Sequence, residues 1–355
     1  MTYNGIKLNP KSIKILRELE NATGERIPRV NEIKSNYLGF KVNKNKITGL
    51  GICSNELMTL PERIDYLTDL EEFYITGNQL MNLPENIGGL VNLKELHVVD
   101  NRLTSLPETI SLLKNLITLR ITDSWLPSKT TLPENIGQLK NLQTLDLANN
   151  QLTNLPESIG NLKNLQTLNL RTNKLVTLPE SIGNLTKLVK MTLQDNKLVT
   201  LPKSIGNLTN LQVLSLDINE LTSLPESISQ LTNLKFLYAY NNQIHSIPEK
   251  IGNLKCLKRL DLDDNQLSSL PKSLWELNKL QELGLYGNRL NAISEKINEL
   301  KELQHLSLTK NHLRTLPDTI ANLKNLKSLW INNNPMQKFP QSLQILEKRG
   351  CRVYR

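Results

Sequence analysis

Three groups of side chains in this sequence are of types that perform chemistry or recognition, and spacing decides what each can do. The histidines stand at 97, 245, 305 and 312, too scattered to form a catalytic pair or a metal set. Asp261, Asp263 and Asp264 concentrate three carboxylates, a composition that calcium sites use. On a strand, however, positions 261 and 263 lie about 6.6 Å apart. No glycine-containing loop of the metal-binding pattern follows, so these carboxylates read as solvated and no metal or other cofactor is expected. The third group lies in "LKFLYAYNNQI", Leu234 to Ile244, where Phe236, Tyr238 and Tyr240 occupy alternate positions. Aromatic residues make up 4% of the chain, so three within five residues is a concentration. Alternate residues of a strand share a face, and the three rings are expected side by side.

The elements that position these groups follow from an internal repeat. "LQTLDLANNQLTNLPESIGNLKN" from Leu142 is followed 23 residues later by "LQTLNLRTNKLVTLPESIGNLTK" from Leu165. The Asn of this pattern recurs at 55, 78, 101, 150, 173, 196, 219, 242, 265, 288, 311 and 334, with Ser124 in the slot of the fourth unit, which carries three extra residues near Trp125. In the unit, L-x-L alternates with period two and predicts a short strand; L-P-x-x-I-x-x-L has roughly helical spacing and predicts a helical turn, with proline where a turn can begin. One such coil cannot bury its own leucines, so coils must stack and their strands must form a parallel sheet. Each buried Leu or Ile contributes about 1.5–3 kcal/mol. The recurring Asn can both donate and accept, and so can satisfy the backbone groups that the turn leaves unpaired.

This consensus resembles leucine-rich repeats of the 23-residue type, and its "LPxxIGxLxxLxxLxLxxNxL" form is similar to the intracellular Ras-group subclass, with its Ras-suppressor, Scribble and Erbin-like members, and to plant Ras-group-related and microbial repeat proteins. The resemblance implies an α/β solenoid, a horseshoe with a concave parallel β-sheet and convex short helical or 3-10 turns, capped at both ends. Residues 1–46 read as an N-terminal cap, 47–335 as thirteen repeats and 336–355 as a C-terminal cap. In the first cap, Asn9 and Pro10 are placed to start a helix with Ile13, Leu16 and Leu19 on one face. A hairpin turning at Asn43-Lys44-Asn45 feeds the first repeat. In the last, Pro335 breaks the period, and a short helix and an extended tail after Gly350 are expected.

Charge and cysteine usage narrow the function classes. The net charge of +9 belongs to the ends, because residues 1–50 carry +6 and residues 336–355 carry +4, leaving the body at −1. Cys53, Cys256 and Cys351 are odd in number and far apart, which predicts neither a disulfide framework nor a zinc site. The start lacks the apolar core of a signal peptide and no apolar run reaches membrane-spanning length, so a cytoplasmic protein is expected. No phosphate loop, nucleophile elbow or HExxH motif occurs, and the solenoid with its caps leaves no residues for a catalytic domain. An enzyme is not expected.

Function is then read from the concave face, positions 3, 5 and 7 of each unit. Across those positions seven acidic residues stand against four basic ones, and position 8 adds Asp100, Asp123, Asp195 and Asp264 against Lys310. An acidic face repels phosphate backbones and suits a basic partner, so nucleic acid is not the expected ligand of this face. Phe236, Tyr238 and Tyr240 fall at positions 3, 5 and 7 of one unit, with Asp217, Arg259, Asp261, Asp263 and Tyr286 nearby and Trp330 further along. Aromatics with a neighbouring Arg are the usual composition of a binding hot spot; equally, a run of rings can shield backbone and pack on its neighbours. The expectation is a protein-binding scaffold, monomeric or weakly dimeric. The family resemblance implies a small Ras-like GTPase or a complex around one as the partner class. Two alternatives are binding of nucleic acid or anionic surfaces through the basic caps, and service as a regulatory subunit of an enzyme complex.

Overall fold

A computed structural model describes residues 2–34, 36–53, 56–124 and 132–355. Asn55, Trp125 and the segment holding the three extra residues lie outside the described residues. Two compact units divide the chain, Met1–Leu175 and Val176–Arg355.

The first unit opens with a two-stranded antiparallel pair, Thr2–Tyr3 and Ile6–Lys7, turning through Asn4 and Gly5 at positive φ. Helix α1, Pro10–Thr23, follows. Asn9 caps it by accepting from the Lys11 N–H at 2.9 Å, and Gly24 ends it in the left-handed conformation. Its buried face holds Ile13, Ile15, Leu16 and Leu19. The hairpin pairs Gly39–Asn43 with Lys46–Cys53, and its two loop residues, Lys44 and Asn45, take φ of 47° and 63°, the conformation of a two-residue type I′ turn. Lys46–Cys53 then begins a parallel ladder with Glu72–Thr76, Glu95–Val99, Thr118–Thr122, Thr144–Asp146 and Thr167–Asn169. Every step is one repeat except Thr118↔Thr144, where the extra residues lengthen it.

The second unit continues the same design. Strands Lys190–Thr192, Val213–Ser215, Phe236–Tyr238, Arg259–Asp261, Glu282–Gly284, His305–Ser307 and Ser328–Trp330 pair in parallel, each in register with the equivalent residues of the next. Helix α2, Ser342–Lys348, buries Leu343 and Leu346. The tail beyond Gly350 is a further parallel strand, Arg352–Tyr354, laid against Ser328–Trp330.

The turns opposite the strands are 3-10, and the sequence gives the reason. Pro225, Ile228, Leu231 and Leu234 are spaced by three, the residue period of a 3-10 helix, so the apolar side chains eclipse on one face. The backbone follows the same step, with Ile228 N–H donating to Pro225 O, Leu231 to Ile228 and Leu234 to Leu231 at 2.8–3.1 Å. The glycine after the Ile lets coils approach. A Cβ on Gly206 would lie 2.5 Å from the carbonyl oxygen of Ser227 in the next coil.

The Asn slot does what its chemistry predicts. Asn242 is buried, its amide donates to Leu216 O at 3.0 Å and Ala239 O at 3.2 Å, and its Oδ1 accepts from Leu221 N at 3.0 Å. Asn78 and Asn173 act likewise in the first unit. Ser124, in the same slot, is buried and reaches Thr122 O alone among the described contacts. A second, outer Asn ladder runs along the exposed loops. Asn210 donates to Thr186 O and Asn233 to Thr209 O, both at 2.8 Å, each tying the exposed loop of its own coil to the one before. Its signal in the sequence is the Asn immediately before the first Leu of most units.

Candidate functional site

In the strand Phe236–Tyr238 and the two residues beyond it, Leu237 and Ala239 are buried whereas Phe236, Tyr238 and Tyr240 are half-exposed on the open face of the sheet. Strand alternation alone dictates this. The rings of Phe236 and Tyr238 lie parallel, with centroids 6.4 Å apart and planes 5° from each other. Tyr240 is held differently. Its hydroxyl accepts from Gln194 Nε2 at 3.3 Å, across two strands.

Register sets the neighbours. Phe236 is paired with Val213 and Arg259, and Tyr238 with Ser215 and Asp261. The Arg259 guanidinium sits 5.3 Å from the Tyr238 ring centroid and bridges two carboxylates, Asp261 at 3.2 Å and Glu282 at 2.6 Å. Burial works against the charge on Arg259, but the hydrogen bond it donates to Asp261 and the proximity of Glu282 outweigh it and hold its pKa above the usual value.

Of the three acids expected to be solvated, Asp264 is exposed and Asp263 half-buried, but Asp261 is buried, as is Asp217. Asp217 is 4% exposed and Asp261 8%. Along the position that follows Ala239, aspartate and tyrosine alternate from strand to strand: Asp217, Tyr240, Asp263, Tyr286. Each tyrosine N–H donates to the aspartate before it, Tyr240 to Asp217 at 3.3 Å and Tyr286 to Asp263 at 2.7 Å. Burial pushes both carboxyls up to about 7, and the charge of Asp261 adds to the rise. The remaining acids have a conformational explanation. Asp100, Asp123, Asp195 and Asp264 all stand at φ between 47° and 58°, the left-handed region that Asp and Asn tolerate better than most residues. Gly77, Asn149, Asn241 and Gly287 fill the same turn elsewhere.

Trp330 is not part of the Phe236 cluster. It stacks on Tyr354 of the last strand, centroids 5.4 Å apart, and lies near His305 at 6.2 Å. Tyr286 stands apart from Trp330 and has the Lys310 ammonium 5.6 Å from its ring centroid. The first unit carries an aromatic pair of its own, which the sequence pattern does not single out. Tyr74 and His97 occupy the same position in adjacent coils and stack at 4.1 Å, the Tyr74 hydroxyl donating to Glu95 at 2.5 Å. Burial, with Arg120 nearby, lowers His97 to about 4, so its ring is neutral. The paired register of Tyr74 and His97 would have revealed this stack.

Among the described residues no three His, Cys, Asp or Glu side chains are grouped to hold a metal ion. No helix of the described residues is long and apolar enough to cross a membrane.

Comparison with known proteins agrees with this architecture. The leucine-rich repeat region family model matches residues 133–223, 191–262 and 225–290, and a leucine-rich repeat model matches 302–323. No curated protein matches the chain. Among solved structures, a Leptospira interrogans LRR protein is 36% identical over 89% of this chain and 83% of its own, with a TM-score of 0.70. An internalin from Listeria monocytogenes shares the fold at 22% identity, 98% and 94% coverage and a TM-score of 0.71. The Arabidopsis receptor kinase HAESA, solved with the peptide hormone IDA and the co-receptor SERK1, is 28% identical over 84% of this chain and 56% of its own, TM-score 0.62. Leucine-rich repeats of this kind are protein-interaction modules, and the chain belongs to the leucine-rich repeat proteins.

Proposed function

We propose that the chain is a non-enzymatic binding module that takes a protein partner on the open face of residues 213–286, with Phe236, Tyr238 and Tyr240 as the apolar centre. The observation that carries this reading is the parallel stack of Phe236 and Tyr238, held half-exposed beside a guanidinium. Rigid aromatics lose little entropy on binding and dominate interface energetics, and Arg is enriched beside them. Carboxylates outnumber cations around the stack, which supports a partner with exposed Lys or Arg. A small Ras-like GTPase with a basic face is the candidate that the Ras-group resemblance supplies. The structure of HAESA with a peptide hormone and a co-receptor supports binding as the use of such a fold. Cys53, Cys256 and Cys351 are free thiols, which supports placement in the reducing cytoplasm.

The test is a capture experiment from an extract of the cells that express the chain, comparing wild type with a Phe236→Ala/Tyr238→Ala/Tyr240→Ala variant of matched circular dichroism and thermal midpoint. Loss of a specific protein in the variant supports the reading; identical captured proteins contradict it.

A further inference from the structure

Gly284 leaves a gap in the open face. At its register position the strands from Lys190–Thr192 to Ser328–Trp330 otherwise carry Thr192, Ser215, Tyr238, Asp261, Ser307 and Trp330. A Cβ built on Gly284 would lie 2.8 Å from Asp263 Oδ1 and 2.9 Å from Asp261 Oδ1. Two carboxylate oxygens therefore converge on the space the glycine leaves empty. Ser307 follows in the next strand, so the gap widens into a trough of about 340 Å³ between the two aspartates and Trp330. Trp330 stands two strands from Gly284, about 9–10 Å at ordinary strand spacing, and its stack on Tyr354 fixes it as the far wall. Arg259, Glu282 and His305, paired in register across three successive strands, line one side.

The charge in this trough is unbalanced in one direction. Three carboxylates, Asp261, Asp263 and Glu282, line it with one guanidinium, and Arg259 is already committed to Asp261 and Glu282. Among the described residues no salt bridge reaches Asp263. A group that fits must be cationic, must donate to two separate oxygens on one side, and must bring an apolar stem past an indole. An arginine side chain does all three, its fork of donors matching the two carboxylates; an ammonium is a point charge without that fork. A divalent cation would find two converging oxygens, short of the six or more that calcium takes.

We propose that this trough seats an arginine side chain of a protein partner, its guanidinium above Gly284 donating to Asp261 and Asp263 and its aliphatic stem passing over Ser307 against Trp330. The seat rests on the reading of the open face as a protein-binding surface, but it is a separate place on that face from the Phe236 stack.

The test uses the full chain, labelled with 15N, at pH 8, and three blocked tripeptides, Gly-Arg-Gly, Gly-Lys-Gly and Gly-citrulline-Gly. The arginine peptide shifts the Gly284 amide and the Trp330 indole signals saturably, the lysine peptide binds more weakly and the uncharged citrulline peptide leaves the signals unmoved. Gly284→Val, a residue suited to a strand, fills the seat and weakens arginine binding about tenfold or more. Asp263→Asn removes the charge at unchanged volume and does the same. The Phe236/Tyr238/Tyr240 triple alanine variant retains arginine binding, which separates this seat from the aromatic site. Equal shifts with citrulline, equal affinity for lysine, or undiminished binding by both Gly284→Val and Asp263→Asn would overturn the proposal.

Discussion

The backbone N–H of Tyr286 donates to Oδ1 of Asp263 at 2.7 Å, a bond from one strand to a side chain of the strand before it. Tyr240 makes the same bond to Asp217 two repeats earlier, at 3.3 Å. The acids of this face are thus part of how the sheet holds its tyrosines, and their burial gives them an unusual titration.

Asp217 and Asp263 are raised to about 7 by burial, from an unfolded value of about 3.9. The folded state then holds these protons more tightly than the unfolded chain does. Their contribution to stability is full below about pH 4 and is lost as pH rises through about 7. Asp261 adds to both shifts, Asp264 adds to that of Asp263, and Arg259 opposes both. Asp217→Asn should therefore stabilise the chain more at pH 8 than at pH 5, by about 1 kcal/mol or more. Urea unfolding at the two pH values checks this; an equal effect at both would contradict it.

The two Asn ladders should differ in worth. Asn242→Ala leaves the buried Leu221 N–H without its acceptor, at a cost of about 1–3 kcal/mol. Asn233→Ala removes a bond to an exposed carbonyl that water can satisfy, and should cost less than about 0.5 kcal/mol. Denaturant midpoints of the two variants decide the matter, and equal losses would mean that burial does not set the difference.

Ile218 adopts φ 55° in the turn where most coils place Asp, Asn or Gly. A β-branched residue is strained there by about 1–2 kcal/mol. Ile218→Asn is expected to raise the unfolding free energy by about 1 kcal/mol, read from the thermal midpoint. An unchanged or lower midpoint would show that its packing outweighs the strain.

Much of the fold is legible in the sequence because each feature is repeated. The L-x-L alternation places Leu237 and Ala239 inside and Phe236, Tyr238 and Tyr240 outside, and the Asn spacing places Asn242 under the turn. The spacing of Pro225, Ile228, Leu231 and Leu234 even carries the 3-10 period. What the pattern does not carry is depth. Asp217 and Asp261 occupy outward positions, yet both are buried, Asp217 beside Tyr240 and Asp261 beside Tyr238 and its ion-pair partner Arg259. Register also could not show that the position-8 acids answer a backbone requirement, since φ is invisible in a consensus. Nor does a consensus reveal what a missing side chain creates: Gly284 reads as one more variable position, and only the convergence of Asp261 and Asp263 on its empty Cβ site gives it meaning.

The central claim is that the exposed aromatic stack is the energetic centre of a protein interface. Its most direct test is the affinity of the captured partner, by isothermal titration calorimetry, for wild type and for the Phe236→Ala/Tyr238→Ala/Tyr240→Ala variant at matched thermal midpoints. A weakening of about 30-fold or more, the loss of at least one hot spot, is predicted; an affinity equal to wild type would contradict the account.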